Sequence, residues 1–267
     1  MDDIFHFTTV RAAVHLLCLK NLETGVILYK VGESELSYAL LYDLTSINRI
    51  SKKEVSIPKL REIIQRKLGK KFGWCGLHTT WILDTESGVL TLQSKRAKSV
   101  KMADFYPQGS LNRNINAPWW NERNQIVSVE MEDGILNIGT CAFSRCERLE
   151  KIAIPDSVQE IGQDAFNGCV NLTSVSIPKG VSKIATGTFE DCVKLVCADI
   201  PDSVTVIEDS AFCGCKSLTD IIIPDSVTKI DWLAFHGCDK LNMVSIPENA
   251  EINEEAFDPH TQFIRRP

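Results

Sequence analysis

The second half of the chain repeats its hydrophobic positions at a fixed step. Phenylalanine recurs every 23 residues from Phe143 to Phe235, and Phe257 follows after 22. Leucine, proline and cysteine keep the same 23-residue step in five copies each. The repeated cysteines are Cys146, Cys169, Cys192, Cys215 and Cys238. Four residue types locked to one period indicate a repeat protein, in which one supersecondary unit is copied and stacked.

Each unit contains the alternation of a strand that is buried on one face. In one copy Val175 and Ile177 alternate with Ser174 and Ser176, which is the period-2 pattern of such a strand. Pro178 ends the strand because proline has no N–H to donate, and the residues after it favour a turn. A single coil cannot bury its own apolar side, so stacked coils must share a continuous core with parallel strands about 4.8 Å apart.

The repeated unit resembles a known family. Ile-Pro-Asp-Ser-Val-x-x-Ile, followed by Ala-Phe-x-Gly-Cys-x-x-Leu, is similar to the BspA-like (Treponema-type) leucine-rich repeat over about residues 126–257. The resemblance implies a β-rich, right-handed leucine-rich-repeat solenoid of parallel strands. It also implies a role in protein binding or adhesion at a cell surface, since many members of this mostly bacterial family act there.

The segment at about 74–125 is similar to the β-rich module that often precedes such repeats. The similarity rests on Trp81 to Asp84, Gly88 to Leu92, and Ala117 to Trp119. The hydrophobic pattern alone predicts two strands joined by a turn at Glu86-Ser87-Gly88. We expect this module to cover the open end of the solenoid core, which needs a cap.

Two stretches are less informative. Between Leu92 and Pro118 a basic insertion departs from the family pattern, so the path of the chain is left open there. Residues 1–72 match no known pattern; a strand at 25–31 and a helix at 58–68 predict a small α+β segment of unknown role. The predicted organisation is therefore 1–72, then a capping module at 73–125, then the solenoid at 126–267.

The charge is unevenly distributed along the chain. Residues 1–123 contain 18 Lys/Arg and 12 Asp/Glu, whereas residues 124–267 contain 11 Lys/Arg and 23 Asp/Glu. The basic half has no interleaved aromatic residues, and the whole chain is acidic with a net charge of −6. We therefore predict no nucleic-acid partner and interpret the basic residues as a solvated face or as a contact with the acidic solenoid.

Little in the sequence points to catalysis or to a cofactor. The five histidines lie in no nucleophile or metal motif, and no phosphate-binding glycine loop is present. The repeated cysteines are interpreted as small buried hydrophobic residues. Cys213, Cys215, His236 and Cys238 are the one set of zinc-ligand types at matching steps. Cys215 and Cys238 should face the core while the other two point elsewhere, so we predict no metal there, with zinc as the alternative.

The predicted function is non-catalytic protein binding through the concave face of the solenoid. Ile222 and Met243 are apolar at outward positions, Asp199 and Asp220 lie alongside, and Trp232 departs from the repeat. These five residues are the predicted partner-binding site, because an apolar spot rimmed by acid suits a basic protein partner. The alternative is an N-terminal domain with enzymatic or regulatory activity that the solenoid directs to its targets.

Features of the sequence point in two directions on where in the cell the protein resides. No stretch approaches the roughly 20 apolar residues that span a bilayer, and the N-terminus lacks the basic start of a secretory signal. These features favour a protein without membrane insertion, in the cytoplasm if Met1 is the native start. The family resemblance favours the cell surface, and the sequence leaves the partner's identity and the oligomeric state open.

Overall fold

The computed structural model describes residues 18–21, 26–29, 70–75, 79–94, 100–106 and 116–266. The chain divides into two compact units, Met1–Lys71 and Phe72–Pro267. In the first unit β1 (Cys18–Asn21) and β2 (Val26–Tyr29) form an antiparallel pair, and β2 falls within the strand predicted at 25–31. The helix predicted at 58–68, and with it most of the 1–72 segment, lies outside the described residues.

The capping module is built on three strands, β3 (Lys70–Trp74), β4 (Thr79–Asp84) and β5 (Val89–Ser94). β4 and β5 are antiparallel, as predicted, and the turn between them places Gly88 at φ 74°. A side chain at this position would also collide with the backbone oxygen of Gln125, 2.5 Å from an ideal Cβ. A 3₁₀ helix, Trp120–Gln125, then leads the chain into the repeats.

Each coil of the repeats contributes a first strand and a shorter second strand. Even-numbered strands are first strands and odd-numbered strands are second strands. In chain order they are β6 (Ser128–Met131), β7 (Asn137–Ile138), β8 (Lys151–Ala153), β9 (Glu160–Ile161), β10 (Ser174–Ser176), β11 (Lys183–Ile184), β12 (Cys197–Asp199), β13 (Val206–Ile207), β14 (Asp220–Ile221), β15 (Lys229–Ile230), β16 (Met243–Pro247), β17 (Glu251–Ile252) and β18 (Gln262–Arg266).

The strands pair in parallel and advance by one coil at a time. Ser174 is in register with Cys197, and Cys197 with Asp220, so each step is the 23-residue period. The second strands keep the same step, with Lys183 beside Val206. Residues of alternate positions, such as Val175 and Ala198, point into the core and are buried. The predicted β-rich solenoid of parallel strands is confirmed, with about six turns.

A column of aromatic rings fills the side of the coils that neither the first strands nor the second strands occupy. Successive ring centroids are 4.8 to 5.6 Å apart and the ring planes differ by 3° to 17°. The column consists of Trp119, Phe143, Phe166, Phe189, Phe212, Phe235 and Phe257. Phenylalanine thus stacks on phenylalanine from coil to coil, and Trp119 of the capping module extends the column by one ring.

The turns around each ring are tight. Two positions in each coil take the left-handed backbone conformation, and one of them holds Asp164, Gly187, Ser210 and Leu233 in successive coils. Their φ values lie between 53° and 60°. Glycine adopts this conformation without strain, whereas Leu233 carries a steric cost there.

The capping module completes an additional coil on all three sides of the core. β5 pairs in parallel with β6, and Val100 forms a parallel bridge to Ile135. Met102 and Asn137 exchange two hydrogen bonds, from Met102 N to Asn137 Oδ1 (2.8 Å) and from Asn137 Nδ2 to Met102 O (3.2 Å). The insertion whose path the sequence left open therefore leads, from residue 100 onward, into a strand-like segment beside β7.

Candidate partner-binding surface

The outward side chains of the even-numbered strands form one surface, which we call the first-strand face. Ile222, immediately after β14, and Met243, at the start of β16, lie on it in neighbouring coils. Their side chains are 73% and 55% exposed. The flanking Ile221 and Ile223 are buried, so the alternation of the strand holds Ile222 outward.

A third apolar residue joins these two. Ile222 forms a parallel bridge with Ser245, and Ser245 is in register with Ile264 of β18. Ile264 is 50% exposed. Ile222, Ser245 and Ile264 therefore occupy one row across three strands, and Met243 lies two residues before Ser245 on the middle strand. We call Ile222, Met243 and Ile264, grouped around Ser245, the apolar patch.

The predicted acidic residues lie on β12 and β14, the two strands at one side of this patch. Asp199 ends β12 and, because Ala198 is in register with Ile221, lies level with Ile222 on the preceding strand. It is exposed, and its Oδ2 accepts a hydrogen bond of 3.1 Å from Ser176 Oγ. Asp220 opens β14 in register with Cys197. Four of the five predicted site residues thus lie on or next to three adjacent first strands, β12, β14 and β16.

Trp232 lies on another side of the coil. It follows the second strand β15 and leads into the turn of the ring column. Its indole Nε1 donates to a carboxylate oxygen of Glu255 one coil further on, and the side chain is 49% exposed. The structure therefore does not bring Trp232 together with the other four predicted residues.

The arginines next to the patch are used within the fold. Arg266 forms an ion pair of 2.9 Å with Asp225 and donates to the carbonyl oxygen of Ile223. Arg265 donates to the carbonyl oxygens of Glu248 (2.6 Å) and Ala250 (3.3 Å). Arg265 thus holds β18 against the coil of β16, and Arg266 ties β18 to the coil of β14.

The repeated cysteines are buried thiols, and four of the five bond to a backbone carbonyl. Cys192 Sγ donates to Phe166 O at 3.3 Å, and Cys215 Sγ donates to Phe189 O at 3.2 Å. Burial disfavours the charged thiolate and raises the pKa of Cys146 to about 12. The interpretation of these residues as small buried hydrophobic side chains is confirmed. Cys197, by contrast, is exposed on the first-strand face.

The possible zinc set is divided between the core and the surface, as expected. Cys215 and Cys238 are fully buried, Cys213 is half-buried, and His236 is exposed. His236 Nδ1 lies 3.1 Å from Asp258 Oδ1. Within the part of the chain that the structure describes, no three His, Cys, Asp or Glu side chains are grouped to hold a metal ion. No described helix has the length and apolar character needed to cross a membrane.

The repeat lattice corresponds to a known sequence family. The family described as BspA type leucine rich repeat region matches residues 136–263 in 6 copies. Residues 136–263 belong to this BspA-type family. The repeat region is thereby of a kind that generally serves protein–protein interaction. No curated protein sequence matches the chain significantly.

Several solved structures are similar to this chain. A leucine-rich repeat protein of T. pallidum is 23% identical, with 70% of this chain and 83% of that protein covered and a TM-score of 0.42. A leucine-rich repeat protein of Bacteroides ovatus is 25% identical, with 70% and 51% covered and a TM-score of 0.39. A leucine rich cell surface protein of Faecalibacterium prausnitzii is 22% identical, with 71% and 75% covered and a TM-score of 0.32.

Proposed function

We propose that the repeat region is a non-catalytic module that binds a protein partner through the first-strand face, with the apolar patch at the centre of the contact. One observation carries the proposal. Ile222 is 73% exposed and is grouped with Met243 and Ile264, each at least half exposed, on adjacent strand segments. Single exposed apolar residues are ordinary, whereas a contiguous group bordered by polar residues is typical of an interaction site.

The fold holds the centre of this group in place before any partner arrives. Ile222 sits between the buried Ile221 and Ile223, and its segment pairs with a coil on each side. A surface of this kind loses little conformational entropy on binding. Fully burying a side chain such as Ile or Met removes it from water with a gain of about 1.5–3 kcal/mol. Three such side chains can therefore supply a large part of the energy of a moderate-affinity complex.

Affinity capture from the native source tests the proposal. The full chain is compared with the double variant Ile222→Glu/Met243→Glu and with the matched control Ala153→Glu. Ala153 is also exposed on the first-strand face, on β8, three strands before β14. We expect the control to retain the captured protein and the double variant to lose it, with the thermal unfolding of both close to that of the parent.

Equal capture by the folded double variant would contradict the use of this surface. Adhesion is the narrower form of the proposal, in which the captured protein is exposed on a cell surface. Identification of that protein by mass spectrometry, followed by binding of the purified chain to intact cells, distinguishes adhesion from other protein binding.

A further inference from the structure

We infer that the apolar patch is a socket for one bulky apolar side chain, and that the partner carries a cationic side chain beside it. This inference rests on the proposed function and specifies the chemistry of the partner. It is drawn from the arrangement of four side chains on the first-strand face and from the placement of charge around them.

The socket is formed by long side chains around a short one. Ser245 is half-buried and lies between Ile222 and Ile264 in the same row. With strands about 4.8 Å apart, these two isoleucines are separated by about 10 Å, with the serine at the low point between them. Met243 closes a third side. Apolar contacts form at about 4 Å, so the space above Ser245 accommodates one large side chain in contact with all three walls.

The charge around the socket is negative. Asp199 lies one strand beyond Ile222 in the same row, about 10 Å from Ser245. Among the described residues no lysine or arginine forms an ion pair with it, and it accepts a hydrogen bond from the hydroxyl of Ser176. The nearby arginines are engaged, Arg266 with Asp225 and Arg265 with backbone carbonyls. Exposed Asp202 and Glu248 add further negative charge at the next corner of the coils.

These two features together select the partner's chemistry. An aromatic or large aliphatic side chain enters the socket, and a Lys or Arg lies over Asp199. A side chain of this kind, buried at the centre of an interface, is the usual hot spot, and a long cationic side chain easily spans the remaining distance. Complementary charge accelerates association and makes it sensitive to salt.

Short synthetic peptides test the socket on the full chain. The probe carries one Trp and, about three residues later, one Arg in a Gly/Ser background with a fluorophore at one end. Two control peptides replace the Trp by Ala or the Arg by Glu. Fluorescence anisotropy at low ionic strength should show binding of the first peptide and at least about tenfold weaker binding of each control. Ile222→Glu should abolish binding, and Ala153→Glu should leave it unchanged.

A charge exchange provides the decisive measurement. Asp199→Arg should weaken binding of the Arg peptide and restore binding of the peptide in which Arg is replaced by Glu. Failure of the Trp–Arg peptide to bind, or binding that Asp199→Arg does not change, would overturn the inference. The capture experiment with Ile222→Glu/Met243→Glu would still decide the proposed function independently. Concentration-dependent dimers of the parent chain that disappear in Ile222→Glu would show that a second copy occupies the patch, which also overturns the inference.

Discussion

Replacing Phe189 by alanine removes one ring from the middle of the stacked column. Its ring centroid lies 5.4 Å from that of Phe166 and 5.2 Å from that of Phe212, with nearly parallel planes. The side chain is fully buried. Phe263 offers the contrasting position, because it is 49% exposed and touches the column only through an edge contact of 5.1 Å with Phe257.

The expected magnitudes follow from these contacts. A fully buried Phe→Ala substitution costs about 3–5 kcal/mol. Phe189→Leu keeps most of the volume but loses two ring stacks, each worth about 0.5–1.5 kcal/mol, so we expect a loss of about 1–3 kcal/mol. Phe263→Ala removes a ring that is only half-buried and should cost about 1 kcal/mol. For a unit of this size 1 kcal/mol lowers Tm by about 2–4 °C.

Urea unfolding measures these free energies. Far-UV circular dichroism reports on the strands, and tryptophan fluorescence reports mainly on the capping end of the column, since four of the five tryptophans lie at 73–125. Two probes are needed because stacked coils can unfold in parts. Equal losses for Phe189→Ala and Phe263→Ala would refute the reasoning, since burial and stacking would then not decide stability. A neutral Phe189→Leu would refute the contribution of stacking alone.

Three further predictions concern single side chains. Iodoacetamide at about pH 8 should modify the exposed Cys197 in the native protein and leave Cys192 unmodified until urea is added, because burial raises the pKa of the Cys192 thiol. Peptide mapping that finds Cys192 labelled in the native protein would contradict this expectation. Leu233→Gly should raise the free energy of unfolding by about 0.5–1 kcal/mol and Gly237→Ala should lower it by about 1 kcal/mol, because both positions have positive φ. Urea titration midpoints that shift in the same direction for the two variants would contradict this expectation. Burial raises the pKa of the Glu190 carboxyl, so the folded state binds the carboxyl proton more tightly than the unfolded chain does and loses stability as pH rises. Glu190→Gln should therefore raise Tm at pH 7 and give no gain below about pH 4. A gain in Tm that is independent of pH would exclude this cause.

Much of the fold could be predicted because the repeat is regular where the core is built. Phe143 to Phe235 keep one period, and the positions that the period marks as inward are buried. The alternation around Ile222 likewise placed that residue on the outer face. The prediction rests on a simple physical fact: stacked coils must present the same apolar residue at the same place.

The parts that could not be predicted lie where the period changes. Ile264 lies only 19 residues after Ser245, its partner in register, so a 23-residue lattice does not mark it as an outward position of the same row. Trp119 precedes Phe143 by 24 residues and is a different residue type, which concealed its place in the ring column. The thiol-to-carbonyl bonds of the buried cysteines depend on the turn geometry, for which the sequence contains no signal.

The sequence does indicate which side of the coil carries Trp232. It stands two residues after the inward Ile230 of the second strand, at the same lattice position as Asp209 and Glu254. Those neighbours are charged surface residues, which indicates an outward position beyond the second strand and away from the first-strand face.

The parallel register spaces successive coils evenly along the solenoid. Inserting or deleting one whole 23-residue coil between Phe166 and Phe212 would keep every row in line, because each new coil offers the same edges to its neighbours. The patch around Ser245 would then move by about 4.8 Å from the capping sheet while its own surroundings stayed the same. Duplication of coils can thus change the distance between the capping sheet and the patch in small, equal steps, while the partner-binding surface stays the same.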